Sequence, residues 1–416
     1  MSICREASPS SVRAGRGPRG FGLSCPVSDT GGSRATSAPK RCGSRPLRVL
    51  AATVLAGLAA PLSAQTTDAL FAGYRFAPPT LGSRPAGLGG AFVGIADGVK
   101  AAFVNPAGLT LIPVSEIGIS SGRPWLGAGF GHTRLRVAGY LTQADETHED
   151  LALAASAAGG FRDSSTWEAG LGVGVEVHPR LKLGASAAWT RFHLQGERLS
   201  PDASGAPSLA ARVDSTDDKI RVSAGLLMIL VGANARALPS LRLGVSFQPG
   251  FDWSVTPSGP AGALSPVDVR RPTLVSTGLA WRTSDRWSFG AQGDVIRYGE
   301  VVDTLRRNVG DAAAAGFTLR NAVEPRFGAE FVAPLWCGCG IVRLRGGLSY
   351  RSPGTLGYSG PDPLAAQAFA PGNWRTVATL GASFFAEHMG QALRFDVDSR
   401  DVVNGPDLSF GIVWRF

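Results

Sequence analysis

The chain has 416 residues, 55 of them glycine, with 18% charged and 8% aromatic residues and a formal net charge of +9. A mean hydropathy of +0.08 is too low for a bundle of membrane helices, but it fits a barrel whose lipid-facing and lumen-facing side chains alternate and average out. The charge is not a nucleic-acid signal: nine of the 41 basic residues (Arg5, Arg13, Arg16, Arg19, Arg34, Lys40, Arg41, Arg45 and Arg48) and two of the 32 acidic ones (Glu6 and Asp29) lie in residues 1–64, which leaves 32 basic and 30 acidic residues for the rest.

Residues 1–64 read as a leader and export signal that is removed. "KRCGSRPLR" is a positive n-region, "VLAATVLAGLAAPL" a short apolar h-region, and "SAQ" offers cleavage after Ala64, although Leu62 departs from the small-residue preference at −3. The apolar run falls short of the roughly 20 residues a spanning helix needs. Cys4, Cys25 and Cys42 lie in this leader. Only Cys337 and Cys339 follow, in "WCGCG", read as a tight turn with two incidental thiols or, alternatively, as a strained disulfide in an oxidising compartment. No further ligands stand near them, so no metal and no cofactor are expected.

The stretch "GLGGAFVGIADGVKAAFVNPAGL", residues 87–109, is neither an amphipathic helix nor an alternating strand. Its glycines permit tight turns, Asn105 can bond its own backbone, and Pro106 fixes the turn. Such a piece suits close packing against small side chains. Asp97 and Lys100, if buried, need partners, and Arg343, Arg345, Glu330 or Asp294 could supply them.

From about residue 115 the pattern has period two. "WEAGLGVGVEV" sets Trp167, Ala169, Leu171, Val173, Val175 and Val177 on one face and glycines with Glu168 and Glu176 on the other. "LKLGASAAW", Trp287 to Val295, Arg326 to Phe331, Val342 to Tyr350 and Leu393 to Asp398 repeat it. Fourteen strands are expected at about 115–122, 129–143, 149–160, 166–178, 180–196, 212–233, 238–254, 269–284, 286–302, 321–334, 340–353, 374–386, 390–400 and 406–416. From the fourth strand on, short turns such as "HPR" and "TSDR" alternate with long loops rich in Gly, Pro, Ser and Ala. A soluble sandwich would put the apolar face inward. Strand lengths near those that cross a bilayer, a polar face of Gly, Ser and charges of both signs, and Trp189, Trp281, Trp287 and Trp414 near strand ends favour an all-β transmembrane antiparallel barrel instead. The last strand, "LSFGIVWRF", places Leu408, Phe410, Ile412, Trp414 and Phe416 on one face. The terminal Phe416, with Trp414, resembles the signal read by the outer-membrane assembly machinery.

The run Gly89, Gly90, Ala91, Phe92, then Asp97, then Asn105, Pro106, Ala107 and Gly108 resembles the N-terminal motif of the FadL-like long-chain fatty-acid and toluene-porin family. The PorV/PorQ-like outer-membrane proteins carry a similar segment. "RPTLVSTGLAW", "DRWSFGAQGDVIRYGEV", "EPRFGAEFV" and "RLRGGLSYRSPG" are similar to that family's later hairpins. The resemblance implies a hatch at 65–114 inside a barrel at 115–416, with a polar lumen network of Asp294, Glu330, Arg343 and Arg345. It implies passive uptake of hydrophobic small molecules across the outer membrane of a Gram-negative type cell. The alternative is a PorV-like binding or shuttle component of a protein secretion system. Implied partners are outer-membrane lipids, a hydrophobic ligand, the barrel-assembly machinery and secretion-system proteins, but no nucleic acid. Leu356, Tyr358, Leu364, Phe369 and Trp374 would supply apolar surface on the long loops. An enzyme is disfavoured: His132, His148, His178, His193 and His388 fall on separate strands, turns and loops.

Overall fold

The structure, a computed structural model, describes residues 69–77, 82–112, 115–132, 134–152, 159–201, 204, 206–232, 238–335, 340–388, 391–403 and 407–416. The expected leader, its cleavage point, and Cys337 and Cys339 lie outside the described residues.

Fourteen antiparallel strands close on themselves. They are β1 (Glu116–Ser120), β2 (Trp125–His132), β3 (Leu135–Ala152), β4 (Gly159–His178), β5 (Leu181–Pro201), β6 (Pro207–Val231), β7 (Ser240–Gln248), β8 (Leu274–Arg282), β9 (Trp287–Ile296), β10 (Ala322–Pro334), β11 (Ile341–Arg351), β12 (Arg375–His388), β13 (Gln391–Ser399) and β14 (Leu408–Arg415). Each pairs with its sequence neighbours, and β14 returns to β1 through Glu116↔Arg415 and Ile117↔Trp414. Closure leaves no unpaired edge, which a sheet in hydrocarbon requires.

The expected number of strands is the observed one, but three boundaries move. The second expected strand, 129–143, covers the end of β2 and the start of β3, and residues 144–148, expected as a connection, lie inside β3; the third, 149–160, covers the end of β3 and the start of β4. "ADETHED" carries charge on both faces because β3 to β6 outrun the membrane, so the one-sided apolar pattern stops there while the ladder continues. The expected strand 238–254 ends, and the expected strand 269–284 begins, in a separate two-stranded sheet, Phe251–Val255 with Val267–Arg271. The loop expected at 301–320 begins within a helix, α1 (Gly299–Val309), whose Val301, Val302 and Leu305 share a buried face.

Outward positions show where the bilayer lies. On β5, Leu183 and Trp189 are exposed, and above them the same face continues as Arg191, His193, Gln195 and Glu197. Arg191 caps Trp189 at 4.8 Å and pairs with Asp218, so the apolar band ends there. At the short-turn end Trp281, Trp287, Trp414 and Phe416 face outward. The band along β5, from Leu181 to Trp189, spans about 9 residues, the height of a bilayer-crossing strand. Above it β3 to β6 rise by about ten residues, roughly 30 Å.

Candidate functional site: the barrel interior

Residues 82–112 pack against inward-facing positions of nearly every strand. They contain α2 (Ser83–Gly87), α3 (Ala101–Val104) and a 3-10 turn at Pro106–Leu111. Bare backbone faces bare backbone here. A Cβ on Gly184 would meet Ala107 N at 2.3 Å, and one on Gly225 would meet Asn105 Oδ1 at 2.1 Å. Gly89, at φ +65°, sits 2.8 Å from Leu348 N by the same measure. The glycines on the polar face of the alternation are therefore the wall against which this segment rests.

Polar side chains fasten it. Gln292 Oε1 accepts from Phe92 N and Val93 N, both at 2.9 Å. Asn105, fully buried, donates to Val93 O at 3.0 Å and Leu226 O at 3.1 Å and accepts from Ala107 N at 3.3 Å. Glu116 accepts from Val99 N at 3.1 Å and from Arg415 Nε at 2.7 Å, which couples the segment to the closing seam. Every polar atom of Asn105 is used in holding the backbone, so its role is structural.

A charge network crosses the waist of the barrel. Arg84 donates to Asp97 and to Glu330 (3.1 Å). Glu330 also receives Arg345 (2.9 Å) and Arg343 (3.5 Å). Arg345 reaches Asp396 and Asp398, each at 3.2 Å, and Arg394 holds Asp396 at 3.0 Å. Four guanidiniums thus answer four carboxylates, as burial demands. Burial alone would raise the Asp97 carboxyl, but the Arg84 guanidinium outweighs it and holds Asp97 at about 2. Lys100 is 7% exposed, lies 5.1 Å over the Trp125 ring, and has no carboxylate within ion-pair distance among the described residues. Burial pushes it down to about 8 against the pull of Asp396, Asp398 and Glu116.

Above the waist, at the long-loop end, the interior is a packed apolar cap. Residues Leu70 to Phe76, the inward Phe192, Leu194 and Val213, the small sheet's Trp253, Val255, Val267 and Val269, the buried face of α1, and Phe317, Leu356 and Phe369 form one cluster. Phe192 stacks on Trp253 at 4.7 Å, and Phe317 meets Phe369 edge-on at 5.0 Å. Arg162, on β4, pins the incoming chain by donating to Leu70 O at 2.9 Å and Ala72 O at 2.7 Å. Below the waist, at the short-turn end, lies a cavity of about 860 Å³. Its walls carry Arg84, Arg136, Lys182, Arg242, Arg282, Arg286 and Arg343 against Asp97, Glu176, Asp285 and Glu330, seven cations to four acids.

Of the residues singled out from sequence, Gly89, Gly90, Ala91, Phe92, Asp97, Asn105, Pro106, Ala107 and Gly108 all sit in this packed segment. Gly108 cannot carry a side chain: a Cβ there would lie 2.0 Å from Ala96 O. Glu330, Arg343 and Arg345 meet at the waist. Asp294 does not join them; it pairs with Arg326 at 2.6 Å. Asp97 takes its partner from its own segment, Arg84, rather than from the four wall residues expected. Trp414 and Phe416 face outward at the seam, their rings 4.8 Å apart. Of the loop residues, Leu356 and Phe369 are buried in the cap, Leu364 is exposed, and Trp374 stacks on Tyr350 at 4.8 Å. The sequence reading did not single out Arg84, Gln292, Glu116, Arg394, Asp396 or Arg242; most of them announce themselves only as polar members of an alternating strand.

No Gly-x-Ser-x-Gly elbow is expected from the sequence, yet Gly118 to Gly122 carry that spacing. Ser120 ends β1 at a hairpin that leads into another strand, not the strand-to-helix turn of a nucleophile elbow. His148, paired with Asp163, and His193, beside Thr216 at 3.0 Å, face outward on exposed surface, and His178 ends β4. The side chains of His132 and His388 lie outside the described residues.

No protein-family model matches the chain, and no curated protein does. Solved structures do. A Pseudomonas aeruginosa FadL homologue superposes with a TM-score of 0.58 at 14% identity, over 81% of this chain and 98% of that one. The Pseudomonas putida toluene transporter TodX gives 0.56 at 13%, over 81% and 99%. The Ralstonia pickettii toluene transporter TbuX gives 0.52 at 14%, over 81% and 99%. The chain has the fold of the FadL-like outer-membrane transporters.

Proposed function

We propose that the chain is an outer-membrane barrel for passive uptake of hydrophobic small molecules, with the segment up to residue 114 as its hatch and the remainder as the barrel. The long-loop end then faces outside and the short-turn end the periplasm. Trp414 and Phe416 serve barrel assembly. The observation that carries the reading is the apolar cap over a filled waist. An aqueous porin has no use for a mouth closed by aromatic rings, whereas an apolar solute can replace those contacts one for one as it enters. What the neighbours are said to carry, toluene in two cases, agrees in class.

The test is made in cells, where the outer membrane itself slows such solutes. A Gram-negative strain stripped of its own transporters and expressing this chain should take up radiolabelled toluene or a long-chain fatty acid faster than the empty strain. Folded, surface-located protein that leaves uptake unchanged would overturn the reading. Co-purification with secreted cargo in place of uptake would favour the secretion-shuttle alternative.

A further inference from the structure

The cavity below the waist is lined by more cations than acids, and one of those cations is unanswered among the described residues. Of its cations, Arg84 and Arg343 belong to the waist network, Lys182 is paired with Glu176, and Arg282 with Asp285 at 3.2 Å. Arg242 differs. It is on an inward position of β7, lines the cavity, and makes no hydrogen bond or ion pair among the described residues. Its Nε and that of Arg343 are buried without a partner. The carboxylate that acts on it most, Asp97, is already taken by Arg84, while Arg84 and Arg282 repel it. An unanswered guanidinium beside a cavity is a ready fork for an oxyanion, because its donors lie in one plane and match a carboxylate.

The same cavity has an apolar side formed by Leu88, Ile95 and Ala280. From this juxtaposition we infer that the periplasmic cavity is a binding site for a compact amphipathic carboxylate, with Arg242 as the anion contact and Leu88, Ile95 and Ala280 against its apolar body. The inference rests on the transport reading and deepens it by giving the charge class of a solute held after the waist. A neutral hydrocarbon leaves Arg242 unpaired. A cation is repelled by a wall with seven basic groups against four acids. Inorganic phosphate answers the arginine but not the apolar side.

The test uses the full barrel in detergent and calorimetric titration with benzoate, inorganic phosphate and toluene as separate probes. One benzoate should bind per chain, at least tenfold tighter than phosphate. Arg242→Gln should weaken benzoate at least tenfold, and Arg242→Lys should retain part of the binding. Independently of any variant, benzoate affinity for the wild type should fall as salt rises from about 0.01 M to about 0.15 M, where screening shortens from about 30 to about 8 Å. The site is disproved if wild type fails to bind benzoate, if R242Q binds it unchanged, if phosphate binds as well as benzoate, or if affinity ignores salt. Loss of uptake in wild type, with benzoate still bound, would remove the transport reading and leave the site standing.

Discussion

The mouth and the waist of this barrel are closed by opposite kinds of chemistry. The mouth is shut by rings and branched aliphatics packed into one cluster, tied at its edge by Arg162 to Leu70 O and Ala72 O. The waist is shut by glycine backbone against glycine backbone and by an alternation of guanidinium and carboxylate in which no group can leave alone. Apolar packing is replaceable by any apolar solute of fitting size. A buried ionic network is not, since each departing partner strands a charge. On the proposed uptake function, the mouth is where an apolar solute exchanges with protein and the waist is where passage is decided.

The largest break in that contrast is expected at Arg345, whose side chain is wholly buried among Glu330, Asp396 and Asp398. Arg345→Ala leaves carboxylates unanswered at the barrel's centre and should cost about 3–5 kcal/mol. It should appear as a lower temperature for the heat-induced shift in gel mobility and as a raised single-channel leak. A variant with wild-type unfolding and no leak would mean the network is ornamental.

Next comes Lys100, a buried cation with no carboxylate within ion-pair distance among the described residues. Its folded value of about 8 lies below the usual 10.5. Between these values the unfolded segment holds a proton that the folded one lacks, so docking strengthens as pH rises from about 8 to about 10.5, by up to about 3 kcal/mol. Protection factors at amides 99–104, that is, exchange rates corrected for the intrinsic base-catalysed rise with pH, should increase over that window in wild type and show no such trend in Lys100→Met. Parallel slopes in the two would refute the assignment.

How much of this was legible in the sequence follows from range. The alternation in β5, β9 and β13 is local, and it gave the barrel, its strand number and the polar interior. Residues 144–148 read as a connection because β3 runs on above the membrane, where neither face is apolar and period two no longer shows. Arg84 and Glu330 stand 246 residues apart, and nothing near either names the other. The cap gathers residues from Leu70 to Phe369, each an ordinary apolar residue in what reads as a loop. Asn105 was visible as a turn former, but its bonds to Val93 and Leu226 depend on which strand comes opposite. The small residues of the polar face are visible as a surface for close packing, but that Gly184 meets Ala107 and Gly225 meets Asn105 depends on which strands come opposite.

A methyl group is enough to probe that filling. Gly225→Ala inserts a Cβ where Asn105 Oδ1 already lies, so either the clamp shifts or the segment lifts. Overpacking of this kind costs about 1–3 kcal/mol. Protease cutting within residues 82–112 should rise, and ionic leak with it, while the strands stay folded. Unchanged cutting would show that the backbone contact is looser than its geometry.

The smallest effect is the one that separates mouth from waist most cleanly. Phe369 is 2% exposed and meets Phe317 edge-on within the cap. Phe369→Leu keeps an apolar side chain but loses the ring contact, at roughly 1 kcal/mol. If the cap is the exchangeable closure, this slight loosening should raise toluene uptake by a factor of a few, because apolar protein contacts and apolar solute compete for the same place. Ionic leak should not change, since Arg84, Glu330 and Arg345 lie below and keep their partners. Gly225→Ala should do the reverse, opening a path for ions before it helps a hydrocarbon. Measured side by side, the two variants should therefore move uptake and leak independently. If both variants moved both quantities together, mouth and waist would be a single gate, and the division between apolar exchange and ionic closure would fail.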